Sequence, residues 1–571
     1  MRAHRTLTVV LIFLIYLATA VLATYPLVKH IDNKVPFDLG DPLFMSWLVS
    51  WNDSFFLSQQ FSLPKLFNTN IYYPYRNTLA YSDLMLIPSL LVLPVYYATH
   101  NPLITVNVLL VLLLAGTATA MFLLAEYLTG NAAAAFMVGL LYAFSTFHLA
   151  QIGHIQLHTD VFFILMLLFL HKWLDRHRVR YLVLAAIMLW LEALSSWYYA
   201  IYAGMLLVLF VGFFSVWREL KLDRRNLVSL AVTVSLLGVV AFPFIRPYLQ
   251  LHQSMPNFER NLSEAAFYAA GPTDYTATVP ENLLWGKWFK RAKPGVEDIL
   301  FPGLAVLVLA AAGAAGMARS VSLKERAGQI KLFYAVVAWI ALVLSLGPYK
   351  MVHGRFVPLP YFIPFELVPG FKSMRVPARF GVLVLLGLCV LAAFGADRLI
   401  KLWQERRLNN GRADYLAAAA LAFIVIQQIS WPIPLSQPIA SGNHIPAIYK
   451  WLAKTTHSGA IIELPPVQSE QVKYVYYSAY HGKRLVNGYS GYTPPLWADL
   501  EPKMADFPSK RSVAYLRQLG VEGVIVHSSS IPGWKAPAKS ALPKNLTLIK
   551  KMGSDYFFEV KKATGPVKIR L

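Results

Sequence analysis

Charge is what this sequence has least of. Only 14% of its 571 residues are Asp, Glu, Lys or Arg, against about 25% in a typical soluble globular protein. The shortage falls in long uncharged runs, 56% of the residues are hydrophobic, and the mean hydropathy is +0.48. Water is therefore not the solvent for most of the chain, and the composition reads as an integral membrane protein. A soluble enzyme, a secreted disulfide scaffold and a disordered tail are excluded as descriptions of the whole. Cysteine is almost absent. The single Cys389 lies inside an apolar run, which excludes an intrachain disulfide and a cysteine-built metal site. No internal repeat or low-complexity tract interrupts the pattern.

Acidic residues are scarcer than basic ones, 30 against 52, for a formal charge of +22. On a soluble domain such an excess would suggest nucleic acid. Here much of it clusters in short segments between apolar runs, as membrane topology determinants do. No nucleic-acid partner is expected.

The first apolar run, about residues 7–28, follows Arg2, His4 and Arg5. It is longer than the 7–15 residues of a signal-peptide core, so it reads as a retained anchor with its N-terminus inside. Further spanning candidates lie near 103–126, 132–148, 159–173, 181–195, 198–216, 228–246, 299–318, 332–347, 377–397 and 414–432. The run 84–99 is ambiguous: about 16 residues make roughly 24 Å of helix against a ~30 Å hydrocarbon core, and it contains Pro88 and Pro94.

The positive-inside rule decides that case. If 84–99 does not cross, four basic clusters share the side of the N-terminus: Lys172/Arg176/Arg178/Arg180, Arg218/Lys221/Arg224/Arg225, Arg319/Lys324/Arg326/Lys331 and Arg398/Lys401/Arg406/Arg407/Arg412. The expected fold is an α-helical polytopic membrane protein of about eleven spanning helices over residues 1–432, placed in the cell membrane. A soluble α/β extracytoplasmic domain follows over 433–571, with strand character at Ala460–Leu464, Val521–Val526 and Tyr556–Val560 and helix character at Ile445–Lys454 and Lys510–Leu519. Outward loops are then 29–102, 149–158, 247–298 and 348–376.

Polar residues with chemical potential gather in those loops. Asp41 precedes Pro42 at the start of a stretch in which Phe44, Trp47, Leu48, Trp51 and Phe55 share one helical face. That face suits a helix lying along the membrane surface. Asp41 reads either as an N-cap or as an outward carboxylate able to take a proton from an acceptor hydroxyl. Asp38 and Asp83 lie in the same loop. His154 and His158 are four apart, on one face if helical; two interfacial hydrogen-bonding histidines are favoured over a metal pair. Glu259, Asp274 and Glu297 lie in the loop before the 299–318 run, each ordinary as a solvated carboxylate. Lys372, Arg375 and Arg379 form an outer-side cation cluster that positive-inside logic disfavours. An arginine at the apolar boundary is costly without an anionic partner, which a lipid phosphate would supply through bidentate pairing; snorkelling to bulk lipid is the alternative.

Several short motifs in order resemble the GT-C superfamily of polytopic glycosyltransferases, specifically the bacterial YfhO-like membrane proteins. They are Gly40-Asp41-Pro42, Tyr72-Tyr73-Pro74 with Asp83, Gly153-His154, Ser195-Ser196-Trp197-Tyr198-Tyr199, Phe301-Pro302-Gly303, Met374-Arg375-Val376-Pro377-Ala378-Arg379-Phe380 and Leu485-Val486-Asn487-Gly488-Tyr489-Ser490-Gly491. The resemblance implies an inverting transfer of a sugar from a polyprenyl-phosphate-linked donor to an outer-face acceptor, a glycan, lipid or cell-envelope polymer. It implies Asp41 as the catalytic base and Arg375 and Arg379 as ligands of the lipid phosphate. It carries substrate-binding roles less directly to Asp38, Asp83, His154, His158 and Asp274. Many members have paired acidic residues where Leu39-Gly40 here separates Asp38 from Asp41. No metal-ligand set is assigned; the part of a divalent ion, and which of the two aspartates is the base, stay open.

Two other classes compete. A flippase of lipid-linked glycan would favour ionisable residues at helix centres, whereas Glu192 lies near a helix end. A non-catalytic assembly protein would use the basic C-terminal domain, 18 Lys+Arg against 8 Asp+Glu from Ser436 on, to recruit partners. Its aromatic cluster, Tyr474, Tyr476, Tyr477 and Tyr480, would stack on sugars or pack a core.

Overall fold

A computed structural model describes residues 2–58, 62–217, 224–255, 258–289, 295–315, 325–368, 370–407, 423 and 426–562. The chain divides into two compact units. A helical unit comprises Met1–Lys29, Leu109–Phe242 and Asn257–Pro434, and a mixed unit comprises His30–Val108, Pro243–Pro256 and Leu435–Leu571. The division is not the single boundary at 432/433 expected from composition. Residues 30–108 group with the C-terminal region because its loops pair with theirs through backbone hydrogen bonds, as at Tyr73 N to Leu485 O, 2.9 Å.

Among the described residues, eight helices are long and apolar enough to cross a membrane: Arg5–Ala23, Pro102–Thr129, Ala132–Ala150, Ile155–Arg176, Trp197–Val216, Ala231–Ser254, Arg326–Ser345 and Pro377–Glu405. Two expected spans are shorter, Val179–Ala193 and Leu304–Ala314. The run 414–432 lies mostly outside the described residues, as do Arg218, Lys221, Arg319, Lys324 and Arg412 of the basic clusters. The ambiguous run is a helix, Leu86–Thr99, of 14 residues with Pro94 inside it, about 21 Å long.

Local sequence explains the helix starts. The Asn131 side chain accepts from the backbone N–H groups of Ala133 and Ala134, both at 3.1 Å, a side-chain cap at a point where two donors would otherwise be orphaned. Leu304–Ala314 and Gly381–Arg407 approach backbone to backbone. A Cβ on Gly313 would lie 1.9 Å from the Leu391 carbonyl oxygen, and one on Gly395 1.9 Å from that of Leu309. Small residues permit such crossings where lipid offers no hydrophobic drive between helices. Leu11, Leu14, Ile15 and Leu22 of the first helix are exposed, as lipid-facing side chains must be.

The mixed unit holds a four-stranded sheet. Numbering strands along the chain, β1 (Tyr349–Val352) and β2 (Arg355–Pro358) form a separate hairpin in the helical unit. The sheet comprises β3 (Ala460–Leu464), β4 (Val521–His527), β5 (Leu546–Met552) and β6 (Asp555–Val560) in the order β3-β4-β6-β5. β3 and β4 are parallel, and the other pairs antiparallel. Helices Ala447–Lys454 and Lys510–Leu519 stand where expected. β5 was not anticipated; its sequence carries Lys550 and Lys551, the charges that protect an edge strand from further pairing. Ile462, Leu516, Val524 and Phe558 lie in its core.

At one end of the sheet, His527 Nε2 is 2.9 Å from Glu463 Oε2 and Nδ1 is 2.9 Å from Asp555 Oδ1. Glu463 also accepts from the Tyr449 hydroxyl. Burial alone would lower the imidazolium pKa, but the two carboxylates outweigh it and raise it to about 9.

Candidate functional site

The sequence-derived residues fall into two groups, each inside one unit. Asp38, Asp41 and Asp83 belong to the mixed unit, and His154, His158, Asp274, Arg375 and Arg379 to the helical unit.

Asp41 opens the helix Asp41–Leu57, whose N-cap is Gly40 and which has Pro42 in its first turn. Asp41 is thus the first helical residue and not the cap. A carboxylate there is favoured by the helix dipole, and its Oδ1 accepts a hydrogen bond from the Tyr489 hydroxyl at 2.7 Å. Asp38 is exposed, and its Oδ1 accepts from Gly40 N at 2.8 Å, an Asx turn that leads the chain into the helix. Asp83 lies half-buried in the extended link between the turn Thr78–Tyr81 and the helix Leu86–Thr99.

The helix beginning at Asp41 does not lie on a surface. Every residue from Pro42 to Ser50 is buried, and so are Asn52 and Asp53. Trp47 Nε1 donates to Asn70 Oδ1 at 3.2 Å and Trp51 Nε1 to the Leu66 carbonyl at 3.0 Å. The indoles expected at a membrane interface find protein partners. Leu86–Thr99 and Gln468–His481 pack against this helix, so its second face is covered too. Asp53 is fully buried with neither carboxylate oxygen hydrogen-bonded among the described residues. Burial pushes its pKa up to about 8, which keeps the group protonated at neutral pH.

In the helical unit, Gln151 is the hub. Its Nε2 donates to Glu297 Oε2 at 3.0 Å and to the Val296 carbonyl at 3.1 Å. Its Oε1 is 2.7 Å from His154 Nδ1, which must therefore carry the proton. His158 Nε2 is 3.2 Å from the Gln151 carbonyl oxygen. The segment Ile155–His158 is a 3-10 turn with His154 before it, so the two histidines converge on one glutamine. Among the described residues, no group of three or more His, Cys, Asp or Glu side chains is placed to hold a metal ion.

Arg379 reaches Glu297 through Nε, 3.1 Å from each carboxylate oxygen, and through Nη2 to Oε1. Its guanidinium also lies 5.1 Å from the centre of the Tyr198 ring, a cation–π contact. Burial would raise the Glu297 pKa, but Arg379, His154 and Gln151 beside it hold the carboxyl below its ordinary range. The anionic partner that the sequence demanded for Arg379 is therefore an acid of the same unit. Arg375 differs. Its guanidinium lies 5.0 Å from the Tyr268 ring centre and 4.0 Å from Glu264, and 40% of its side chain is exposed. Lys372 lies 3.2 Å from Glu366 and 3.9 Å from Glu259. Buried Asp274 turns its Oδ2 to Gly271 N at 2.7 Å and closes a one-turn helix.

Deeper in the same unit, Asp160 accepts from the Thr117 hydroxyl at 2.6 Å and meets His148 Nε2 at 2.9 Å, while His148 Nδ1 is 3.0 Å from Ser145 Oγ. The sequence reading missed Gln151, His148 and Asp160. Their only signal was polarity at the ends of apolar runs.

Structures already solved share this architecture. The arabinofuranosyltransferase AftD from Mycobacteria matches at TM-score 0.55 and 15% identity over 96% of this chain. The oligosaccharyltransferase AglB from Archaeoglobus fulgidus, solved with an inhibitory peptide and a dolichol-phosphate, matches at TM-score 0.50 and 14% identity over 92% of this chain and 70% of its own. The chain has the GT-C fold. It spans about two fifths of the AftD chain, 41%. At these identities the GT-C likeness is one of fold alone. A scan of protein families returns no match, and a search of curated proteins returns none.

Proposed function

We propose that this GT-C protein is a glycosyltransferase that moves a sugar, with inversion, from a polyprenyl-phosphate carrier to an acceptor on the outer face of the cell membrane. The observation that carries the reading is Asp41, a carboxylate at the first turn of a buried helix whose Oδ1 is held by a neutral phenol at 2.7 Å. The acceptor hydroxyl gives its proton to Asp41 while its oxygen attacks the anomeric carbon. The bond from that carbon to the phosphate oxygen breaks, and the lipid phosphate leaves with the electron pair. A base placed in this way is worth about 10²–10⁴-fold. Developing charge on the leaving phosphate calls for a cation. The GT-C likeness gives that role to Arg375, whose side chain is 40% exposed and lies 4.0 Å from Glu264, while Arg379 is taken up by Glu297.

A flippase is disfavoured by where the buried ionisable groups lie. Asp160 stands just before the helix Val161–Arg176, Glu192 in the last turn of Val179–Ala193, and His148 in the single turn Thr146–Ala150. Those three stand near helix ends, and His171, buried within Val161–Arg176, is engaged by the Tyr334 hydroxyl 3.0 Å from its Nε2. The test is transfer of labelled sugar from polyprenyl-phosphate donors in membranes containing the wild-type chain or Asp41→Asn. Transfer lost in Asp41→Asn supports the reading. Equal transfer by both removes Asp41 as base, and no transfer by the wild type with any donor overturns the reading as a whole.

A further inference from the structure

We infer that Tyr489, from the C-terminal region, is a positioning residue for Asp41, so that residues 435–571 complete the reacting site and are not an appended recruitment module. The inference rests on the glycosyltransferase reading above.

The phenol is aimed by a chain of fixed contacts, all inside the mixed unit. The Asn487 side chain accepts from Glu463 N at 2.7 Å and donates to the Glu463 carbonyl at 2.9 Å, which locks the base of the loop to β3. It donates also to Gln471 Oε1 at 3.1 Å. The loop backbone then pairs with the first long loop: Leu485 N to Asn70 O at 2.7 Å, Tyr73 N to Leu485 O at 2.9 Å and Tyr72 N to Asn487 O at 3.1 Å. Gly488 is required by the closeness of this pairing, since a Cβ there would lie 2.3 Å from Cε1 of Tyr72. One residue on, the Tyr489 ring packs against Phe44 with centroids 5.6 Å apart, and its hydroxyl reaches Asp41 Oδ1. Phe44 and Asp41 share the first turn of one helix, so ring and hydroxyl grip the same element.

Such a contact has a defined chemical consequence. A donor on Oδ1 fixes the carboxylate plane and favours the ionised form, which a base needs before it accepts a proton. Geometry, more than basicity, is what it supplies: a reacting group displaced by about 1 Å can lose roughly 10²-fold. A phenol holding Asp41 should therefore affect turnover and leave donor binding alone.

The experiment compares wild type, Tyr489→Phe, Asp41→Asn and the double variant in membrane vesicles, so that no purification step is required. Tyr489→Phe keeps the ring against Phe44 and removes only the hydroxyl. Expected are a fall in kcat of about 10- to 100-fold, an unchanged KM for the polyprenyl-phosphate sugar, and no further loss when the change is added to Asp41→Asn, the non-additivity of two groups that act as one. Tyr489→Gln, which retains a donor, recovers part of the loss. Equal kcat in wild type and Tyr489→Phe overturns the inference and leaves the reading of function standing. So does a loss that adds fully to that of Asp41→Asn, which marks a structural effect elsewhere, or a faster Tyr489→Phe, which marks a hydroxyl blocking the acceptor. Absence of transfer in the wild type overturns reading and inference together.

Discussion

Two carboxylates in this protein are held in opposite ways. Glu297 is clasped by a guanidinium and an amide, with Arg379 on both its oxygens and Gln151 on one. Asp41 receives a neutral phenol on Oδ1. The first arrangement cancels charge and holds the pKa down, which makes Glu297 a poor proton acceptor and a good structural anchor. The second sets a hydroxyl donor on one oxygen of a carboxylate at a helix start. The comparison teaches that an acid's role is set by its donors more than by its exposure, and that a cation close to an acid is as often its counterion as a ligand for substrate.

The comparison breaks first at Asp41. Asp41→Asn should lower transfer by about 10²–10⁴-fold with thermal stability little changed, because the helix keeps Gly40 as its cap. If Glu297→Gln abolished transfer as fully while the fold survived, the two acids would have the reverse roles. Next comes Arg379→Ala, which strands Glu297 in a buried setting and should cost about 3–5 kcal/mol in unfolding free energy, read by thermal unfolding in detergent. The double change Glu297→Leu/Arg379→Met should recover most of that loss. Arg375→Ala should leave stability within about 0.5 kcal/mol and raise the KM for the lipid-linked donor roughly 10- to 100-fold, the worth of one charged hydrogen bond of about 1.5–3 kcal/mol. A fall in stability equal to that of Arg379→Ala would show that both arginines are structural.

The smallest effect concerns pH. His527 has its pKa raised to about 9 from 6.5. A raised folded-state value means that the stabilisation is complete below about 6.5 and is lost as pH rises through about 9. Limited proteolysis of the sheet in the full-length chain should therefore quicken across that window. His527→Gln should flatten the dependence.

Much of the fold was readable because the bilayer imposes a coarse rule. Uncharged runs of about 20 residues become helices, and the runs near 103–126, 198–216 and 377–397 coincide with Pro102–Thr129, Trp197–Val216 and Pro377–Glu405. The runs at 181–195 and 299–318 make only 15- and 11-residue helices, since apolar composition does not report where a helix stops. The stretch after Asp41 was misjudged for another reason. Its apolar residues include those that pack against Gln468–His481, more than 400 positions away, and an apolar stripe does not say whether lipid or protein covers it. The need of Arg379 for an anion was evident from its place at the apolar boundary, whereas the identity of Glu297 was not, because a loop carboxylate 82 residues upstream resembles any solvated acid. Tyr489 was visible only as one residue of a short motif. The pairing that gives it meaning is tertiary.

The grouping of residues 30–108 with 435–571 also has a consequence for biogenesis. More than 300 residues separate the first and last of the three segments of this unit along the chain. At ~5–20 residues per second of synthesis, the first segment emerges roughly 15–65 s before the last exists. During that interval the backbone groups of Asn70, Tyr72 and Tyr73 that later pair with residues 485–487 have no mate, and a chain stalled in between exposes them. A nascent-chain chaperone or a membrane protease has that interval in which to act.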